Sequence, residues 1–321
     1  MLTMPQATIV QNSTQPQVNQ KILNGVGLPL SKTVVLIPAY NEAKHIADVV
    51  EQALPYADRV IVIDDGSTDR TAPIAELAGA VVVQHKHNQG KGAALSTGFK
   101  LAQEMKAEVV VTIDGDGQHD PREIPQVIEP IVNQQADLVI GSRYLVSTSI
   151  VPQHRVWGHR AFNLLVNLTS GIIVTDSQSG FRAFSPQAMR VITFRSKGFS
   201  VESEMQYISN YHRLQVTEQP ITIRYDDPPK RNVWWHGLQV LIGILFMMRI
   251  YRPFVGLGLT GLLLKLSSIL AMGVFLGSKL MFLTTVMFAI GLWAFVGGTL
   301  AYLVRRYQFS LSGLTTTMGK F

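Results

Sequence analysis

The chain has 321 residues, 47% of them hydrophobic, no cysteine and a formal net charge of +6. That length suits one sizeable domain with an appendage, and the lack of cysteine excludes a disulfide framework and any Cys-based metal site. The charge is uneven: residues 1–227 hold 19 Lys and Arg against 22 Asp and Glu, whereas residues 228–321 hold nine basic residues and no acid. This is a mildly acidic soluble domain joined to a basic, apolar tail, which excludes a uniformly basic nucleic-acid binder.

Residues 1–31 are rich in Gln, Asn and Pro, lack the apolar core of a signal segment and read as a disordered tail. Two glycan-acceptor triplets, Asn12-Ser-Thr14 and Asn167-Leu-Thr169, read as chance matches. From residue 32 strands and helices alternate. Thr33–Ile37 is a buried strand that ends in Pro38-Ala-Tyr-Asn-Glu42, and Ala43–Leu54 has helical periodicity. Asp58–Ile63 is a second strand running into Asp64-Asp-Gly-Ser-Thr-Asp69, followed by helix Arg70–Ala78 and strand Ala80–Gln84. The loop Asn88-Gln-Gly-Lys-Gly92 leads to helix Ala93–Lys106. The fourth strand begins at Val109, helix Glu123–Asn133 follows, and strand Asp137–Ile140 ends in Gly141-Ser-Arg-Tyr144. This alternation predicts an α/β, doubly wound, mostly parallel sheet.

The fourth strand carries the most informative stretch. An apolar run ends in Asp114-Gly-Asp-Gly-Gln118, and acids at the C-terminal end of such a strand face the ligand crevice of an open sheet. Two carboxylates one residue apart, with the Gln118 amide nearby, suit a hard divalent cation that keeps its other positions for water and phosphate oxygens. Asp64 and Asp65 end the second strand on the same edge, where a carboxylate is placed for ribose hydroxyls or a base. As a plain alternative, Asp64-Asp-Gly-Ser67 is a helix N-cap with turn residues.

Beyond residue 150 the pattern is less regular. A helix is predicted over 154–170, carrying Arg155, His159 and Arg160, and then comes the polar loop Asp176–Arg182. Gly198–Glu204 precedes an amphipathic helix, Met205–His212, and Val216–Tyr225 reads as a strand. The proline-stiffened loop 226–231 ends in Lys230 and Arg231. Arginines clustered with serine hydroxyls make anion sites.

The tail changes character. Residues 233–252 are apolar, with Trp234 and Trp235 at one end and Arg249 and Arg252 at the other, as in an amphipathic helix lying in a membrane interface. Residues 253–276, interrupted only by Lys265, and the uncharged residues 280–304 are each long enough to cross a bilayer. A hairpin over 253–306, with a short cytoplasmic tail at 307–321, places both ends and the large domain in the cytoplasm, because the arginines flank its outer ends.

Taken together, the motifs Pro38-Ala-Tyr-Asn-Glu42, Asp64–Asp69, Asn88–Gly92, Asp114–His119, Gly141-Ser-Arg-Tyr144 and Ser179-Gly-Phe-Arg182 resemble the family 2 glycosyltransferases of the dolichol-phosphate mannose synthase type. The resemblance covers about residues 32–232. It implies a GT-A fold and an inverting transfer of one sugar from GDP-mannose, UDP-glucose or UDP-N-acetylglucosamine to a polyprenyl or dolichyl phosphate. By the same resemblance Pro38, Tyr40, Asn41, Glu42, Asp65 and Lys91 hold the nucleotide sugar together with Asp114, and Asp114, Asp116 and Gln118 hold Mg²⁺ or Mn²⁺. Arg143 and Ser179 take the acceptor phosphate, and with Asp116 they form the catalytic set. Arg182 and the Lys230-Arg231 loop are further anion contacts. Some relatives carry a second arginine where this chain has Thr175, so the acceptor site draws on Arg182 or Arg155. The implied partners are a nucleotide sugar, a lipid phosphate and a bilayer, without nucleic acid, and a homo-oligomer stays open.

Competing patterns fit less well. A haloacid-dehalogenase-type phosphatase wants Thr or Val where this chain has Gln118. A P-loop requires glycine at His85 and Ser or Thr at Gly92. A processive polysaccharide synthase requires Gln-x-x-Arg-Trp, and Gln153-His-Arg-Val-Trp157 has the wrong spacing.

Overall fold

The computed structural model describes residues 32–145, 153–194 and 201–224, together with residue 243 and seven positions between 286 and 300; the side chains at 153–159 and 161 are outside the described set. The chain divides into two units, Met1–Val240 and Leu241–Phe321.

The first unit is built on one seven-stranded sheet. In chain order its elements are β1 (Thr33–Ala39), α1 (Ile46–Ala53), β2 (Arg59–Asp64), α2 (Thr71–Leu77), β3 (Val81–Gln84), α3 (Lys91–Glu104) and β4 (Val109–Thr112). They continue with α4 (Ile124–Val132), β5 (Leu138–Ser142), α5 (Gln153–Ser170), β6 (Arg182–Phe184), α6 (Pro186–Val191), α7 (Val201–Tyr211) and β7 (Val216–Pro220). The spatial order is β3-β2-β1-β4-β6-β5-β7. Its β-branched strands are buried on both faces, as parallel strands covered by helices must be. Val35, Ile37, Val60, Val62, Val109 and Val111 form the core with Ile46, Val49 and Val50 of α1 and Ile124, Val127 and Ile128 of α4.

The expected doubly wound, mostly parallel architecture is present, with one departure. β6 is inserted between β4 and β5 and runs antiparallel to both. Three residues are too few to show a period of two, so the strand and the six-residue helix α6 behind it carried no sequence signal. Two predicted bounds also shift. Helix α1 begins at Ile46 because Asn41 adopts φ 56 and the chain turns before it can enter the helix. Strand β7 ends at Pro220, whereas the alternation in the sequence runs on to Tyr225.

β1, β2 and β4 are parallel and in register, Ala39 beside Asp64 and Leu36 beside Thr112. Their C-terminal ends open on one edge of the sheet, where the loops after β1, β2 and β4 meet.

In the second unit the described positions 286, 289, 290, 293, 296, 297 and 300 are helical, and their spacing is that of one helix face. Val286, Ile290, Trp293, Val296 and Leu300 on it are exposed. No helix among the described residues is long and apolar enough to cross a membrane. Apart from these positions and residue 243, the interfacial helix, the hairpin and the final tail expected over 233–321 lie outside the described residues, as does the tail 1–31.

Candidate active site

The loops after β1 and β2 are stitched together by their own polar side chains. Asn41 N–H donates to Ser67 Oγ at 2.9 Å, and Asn41 Oδ1 accepts from Thr68 N–H at 2.8 Å. Glu42 N–H donates to Thr71 Oγ1 at 2.8 Å. The side chain of Asn41 tolerates the left-handed conformation that this junction imposes. Beside it Tyr40 is 42% exposed, and Pro38 is half-buried at the end of β1.

Asp64 and Asp65 are buried at the end of β2. Asp64 is fully buried and accepts from Ser67 N–H at 3.0 Å and Gln84 Nε2 at 2.8 Å. Asp65, expected as a nucleotide contact, is 3% exposed. Its carboxylate accepts from Gln89 N–H at 3.0 Å and Gly90 N–H at 2.7 Å and pairs with His85 Nδ1 at 2.7 Å. Asp65 therefore holds the Asn88–Gly92 loop at the start of α3, which fixes Lys91. Gly66 permits this close approach: at φ +73 a Cβ would lie 2.6 Å from the His87 carbonyl carbon.

Lys91 is gripped by two carboxylates. Its Nζ lies 2.5 Å from Asp114 Oδ1 and 2.6 Å from Glu202 Oε1. Burial opposes the ammonium, yet the Asp114 and Glu202 charges hold it firmly protonated. Burial likewise opposes the Asp114 carboxylate, and the Lys91 ammonium overrides it and keeps that carboxyl below the usual range.

Asp116 is not compensated in this way. Its carboxylate accepts from Gln118 N–H at 3.1 Å. Burial, and then the Asp114 charge, push its carboxyl up to about 6. No cluster of three His, Cys, Asp or Glu ligands lies among the described residues. Two carboxylates, one of them electrostatically strained, fit a hard divalent cation that brings phosphate oxygens with it, rather than an all-protein cage.

The second half of the site packs directly on these acids. Ser179-Gly180 crosses the end of β4, and a Cβ on Gly180 would stand 2.2 Å from Asp114 Oδ2. Thr112 Oγ1 donates to the Gly180 carbonyl at 2.9 Å and fixes the crossing. Ser179 is fully buried, its Oγ accepting from Phe181 N–H at 3.3 Å. Arg143, just past β5 and 7% exposed, donates from Nε to Asp176 Oδ2 at 2.5 Å. The Asp176 loop is held by α5, whose Asn163 bonds the Thr175 carbonyl and accepts from Ser177 N–H at 3.0 Å. Asn167, in the second glycan-acceptor triplet, donates to the Val174 carbonyl at 2.7 Å. Thr175 shares a 2.6 Å hydrogen bond with Ser142 Oγ, and its N–H donates to Glu218 Oε2 at 2.8 Å.

The structure gives Arg182 backbone partners. It was expected as an acceptor-phosphate contact, but its side chain is fully buried in β6. Nε donates to the Ser179 carbonyl at 2.8 Å, Nη1 to that of Glu202 at 3.1 Å and Nη2 to that of Ser177 at 2.9 Å. The guanidinium staples backbone together. Lys230, Arg231 and the Arg155 side chain lie outside the described residues.

Sequence reasoning missed three participants. Glu202 was noted only as part of the run before α7. Asp176 was noted only as loop polarity. His119 is 5% exposed, stacks edge-on against Phe181 at 5.6 Å, and has no partner for Nδ1 among the described residues. Burial pushes its imidazole down to about 4, so it is neutral at physiological pH.

Comparison with known proteins bears on the family and the fold. Residues 34–193 match the model of glycosyl transferase family 2. The chain is 34% identical over 238 residues to the UDP-N-acetylglucosamine–dolichyl-phosphate N-acetylglucosaminyltransferase of Methanococcus voltae, covering 67% of this chain and 93% of that protein. It is 31% identical over 204 residues to the undecaprenyl-phosphate mannosyltransferase of Micrococcus luteus, covering 60% and 83%. Among solved structures it resembles glucosyl-3-phosphoglycerate synthase from Mycobacterium tuberculosis in complex with Mn²⁺, UDP-glucose and phosphoglyceric acid. That TM-score is 0.57 at 22% identity, over 73% of this chain and 85% of that one, and it supports the GT-A fold. Neither the phosphatase nor the processive-synthase pattern is favoured by these likenesses. The chain is thus an enzyme of glycosyl transferase family 2 and belongs to its dolichol-phosphate mannose synthase and polyprenyl-phosphate glycosyltransferase group.

Proposed function

We propose that the protein transfers one sugar, with inversion, from a nucleotide sugar to a polyprenyl or dolichyl phosphate, working on the cytoplasmic face of a membrane. The observation that supports this reading is the contact between Gly180 and Asp114, which brings the loop of Ser179 onto one of the two acids proposed to serve the donor. A donor and a phosphate acceptor held by these two segments meet at one point, and such positioning supplies much of the barrier reduction in a two-substrate transfer.

Asp114 and Asp116, with Gln118, would hold Mg²⁺ or Mn²⁺. When bound, that cation offsets charge on the diphosphate leaving group. The nucleotide would lie along the Pro38–Glu42 segment, with Tyr40 against its base or ribose. Lys91 adds a second positive charge on the diphosphate side. Arg143, oriented through its Nε by Asp176, and Ser179 would receive the lipid phosphate. A phosphate monoester is already ionised near neutral pH, so its oxygen attacks the anomeric carbon without a strong general base. The sugar passes through an oxocarbenium-like state as the nucleoside diphosphate departs.

The test is incubation of membranes containing the full chain with labelled GDP-mannose, UDP-glucose and UDP-N-acetylglucosamine in turn, plus polyprenyl phosphate. One donor is expected to give label extractable into organic solvent. Label confined to water-soluble products with all three would defeat the proposal.

A further inference from the structure

We propose that Glu202 is a positioning residue of the donor site: it retains the Lys91 ammonium so that Asp114 can release it to a divalent cation and the diphosphate that accompanies it. The proposal rests on the donor-site reading above.

Three observations carry it. First, Lys91 is shared nearly evenly, at 2.5 Å from Asp114 and 2.6 Å from Glu202, but the two acids differ in setting. The Asp114 side chain is 29% exposed, whereas that of Glu202 is 6% exposed. Only the Asp114 half of the clamp can be exchanged for an incoming ligand. Second, Asp114 and Glu202 against Lys91 make two negative charges and one positive, so the clamp keeps a net negative charge beside Asp116. Without Glu202 it is neutral, and the ammonium has Asp114 as its sole carboxylate in the clamp. Cation entry would then strip a buried charge of its partner, which is strongly unfavourable. Third, the Glu202 backbone is tied to the loop that lies over Asp114. The buried Arg182 guanidinium donates to the Glu202 carbonyl and also to the Ser177 and Ser179 carbonyls of the opposing loop. One side chain thus sets the register between the Lys91 anchor and the loop lying over Asp114. This accounts for an arginine buried among carbonyls at the end of the Ser179-Gly-Phe-Arg182 motif.

The experiment is Mn²⁺ titration of the full-length protein in nanodiscs, free Mn²⁺ being read by electron paramagnetic resonance and folding checked by thermal melting. Glu202→Gln is expected to weaken Mn²⁺ binding about tenfold, because the ammonium settles on Asp114. Adding Lys91→Met to Glu202→Gln should bring binding back to within about threefold of wild type, since no ammonium is left to compete and the clamp's charge is restored. A structural role alone gives no such rescue. Unchanged Mn²⁺ affinity in Glu202→Gln, or a double variant as weak as the single one, overturns the proposal. Should Glu202→Gln fail to fold, Lys91→Met alone decides: tighter Mn²⁺ binding than wild type supports the proposal, and equal or weaker binding overturns it. Wild-type protein that binds no Mn²⁺, with or without UDP or GDP, overturns the donor-site reading itself, a result distinct from normal wild-type binding without a Glu202 effect.

Discussion

Replacing Asp116 with asparagine separates what the site does for function from what it costs the fold. The folded-state pKa of Asp116 is about 6, against an ordinary value of 3.8. A raised carboxyl pKa means that the fold disfavours the charged form. The penalty is fully present above pH 6, fades as pH falls from 6 towards 4, and is absent below the unfolded value. Two pKa units correspond to ~3 kcal/mol. Asparagine keeps the shape and removes the charge, so at pH 8 without metal Asp116→Asn should melt roughly 6–12 °C higher than wild type. That advantage should vanish near pH 4. His119 runs the other way: with a pKa lowered from 6.5 to about 4, its contribution is full above pH 6.5 and is lost as pH falls through that window. In wild type the two opposing trends largely cancel between pH 6.5 and 4. In Asp116→Asn only the decline due to His119 remains, and the stability curve should steepen. Mn²⁺ should raise the melting point of wild type at pH 8 and leave that of the variant nearly unmoved, while sugar transfer is abolished. Differential scanning calorimetry over pH 4–8, with and without Mn²⁺, reads all of this. An apo variant less stable than wild type at pH 8, or one that keeps the Mn²⁺ shift, would refute the reasoning.

Other consequences are as specific. Gly180→Ala places a methyl 2.2 Å from Asp114 Oδ2; displacement of that acid should lower kcat about a hundredfold, with Mn²⁺ binding weakened in parallel, and wild-type kinetics would show that the loop yields. Asp176→Asn removes the carboxylate opposite the buried Arg143 Nε and should cost ~3 kcal/mol in urea unfolding. Arg143→Ala should raise the KM for lipid phosphate with nucleotide-sugar affinity unchanged; a donor-binding defect would assign the arginine to the diphosphate instead. The full chain should resist carbonate extraction from membranes, and truncation after Asn232 should give a more soluble protein that still binds nucleotide; release of the full chain by carbonate would remove residues 253–304 from the bilayer.

The frame of the fold could be read in the sequence because its strands are uninterrupted apolar runs ending in acids and glycines. Val109–Thr112 followed by Asp114-Gly-Asp116 declares both a buried strand and the edge where it opens. Other features could not be read, because tertiary contacts decide them. Asp65 and Asp114 look alike in sequence, each an acid after a strand. One is closed off by the Gln89 and Gly90 amides and His85, while the other stays partly exposed beside Lys91. Arg182 looks like an anion contact until β6 carries it between β4 and β5, where three carbonyls take its donors. Glu202 lies 111 positions after its partner Lys91, and no local pattern marks an ion pair across that distance.

The identity of the products tests the central claim most directly. Full-length protein in nanodiscs, given its donor and polyprenyl phosphate, should form a polyprenyl monophosphate sugar and release nucleoside diphosphate in equal amounts, both read by mass spectrometry. A polyprenyl diphosphate sugar with release of nucleoside monophosphate would mean that the phosphate oxygen attacks phosphorus rather than the anomeric carbon, and would contradict the account.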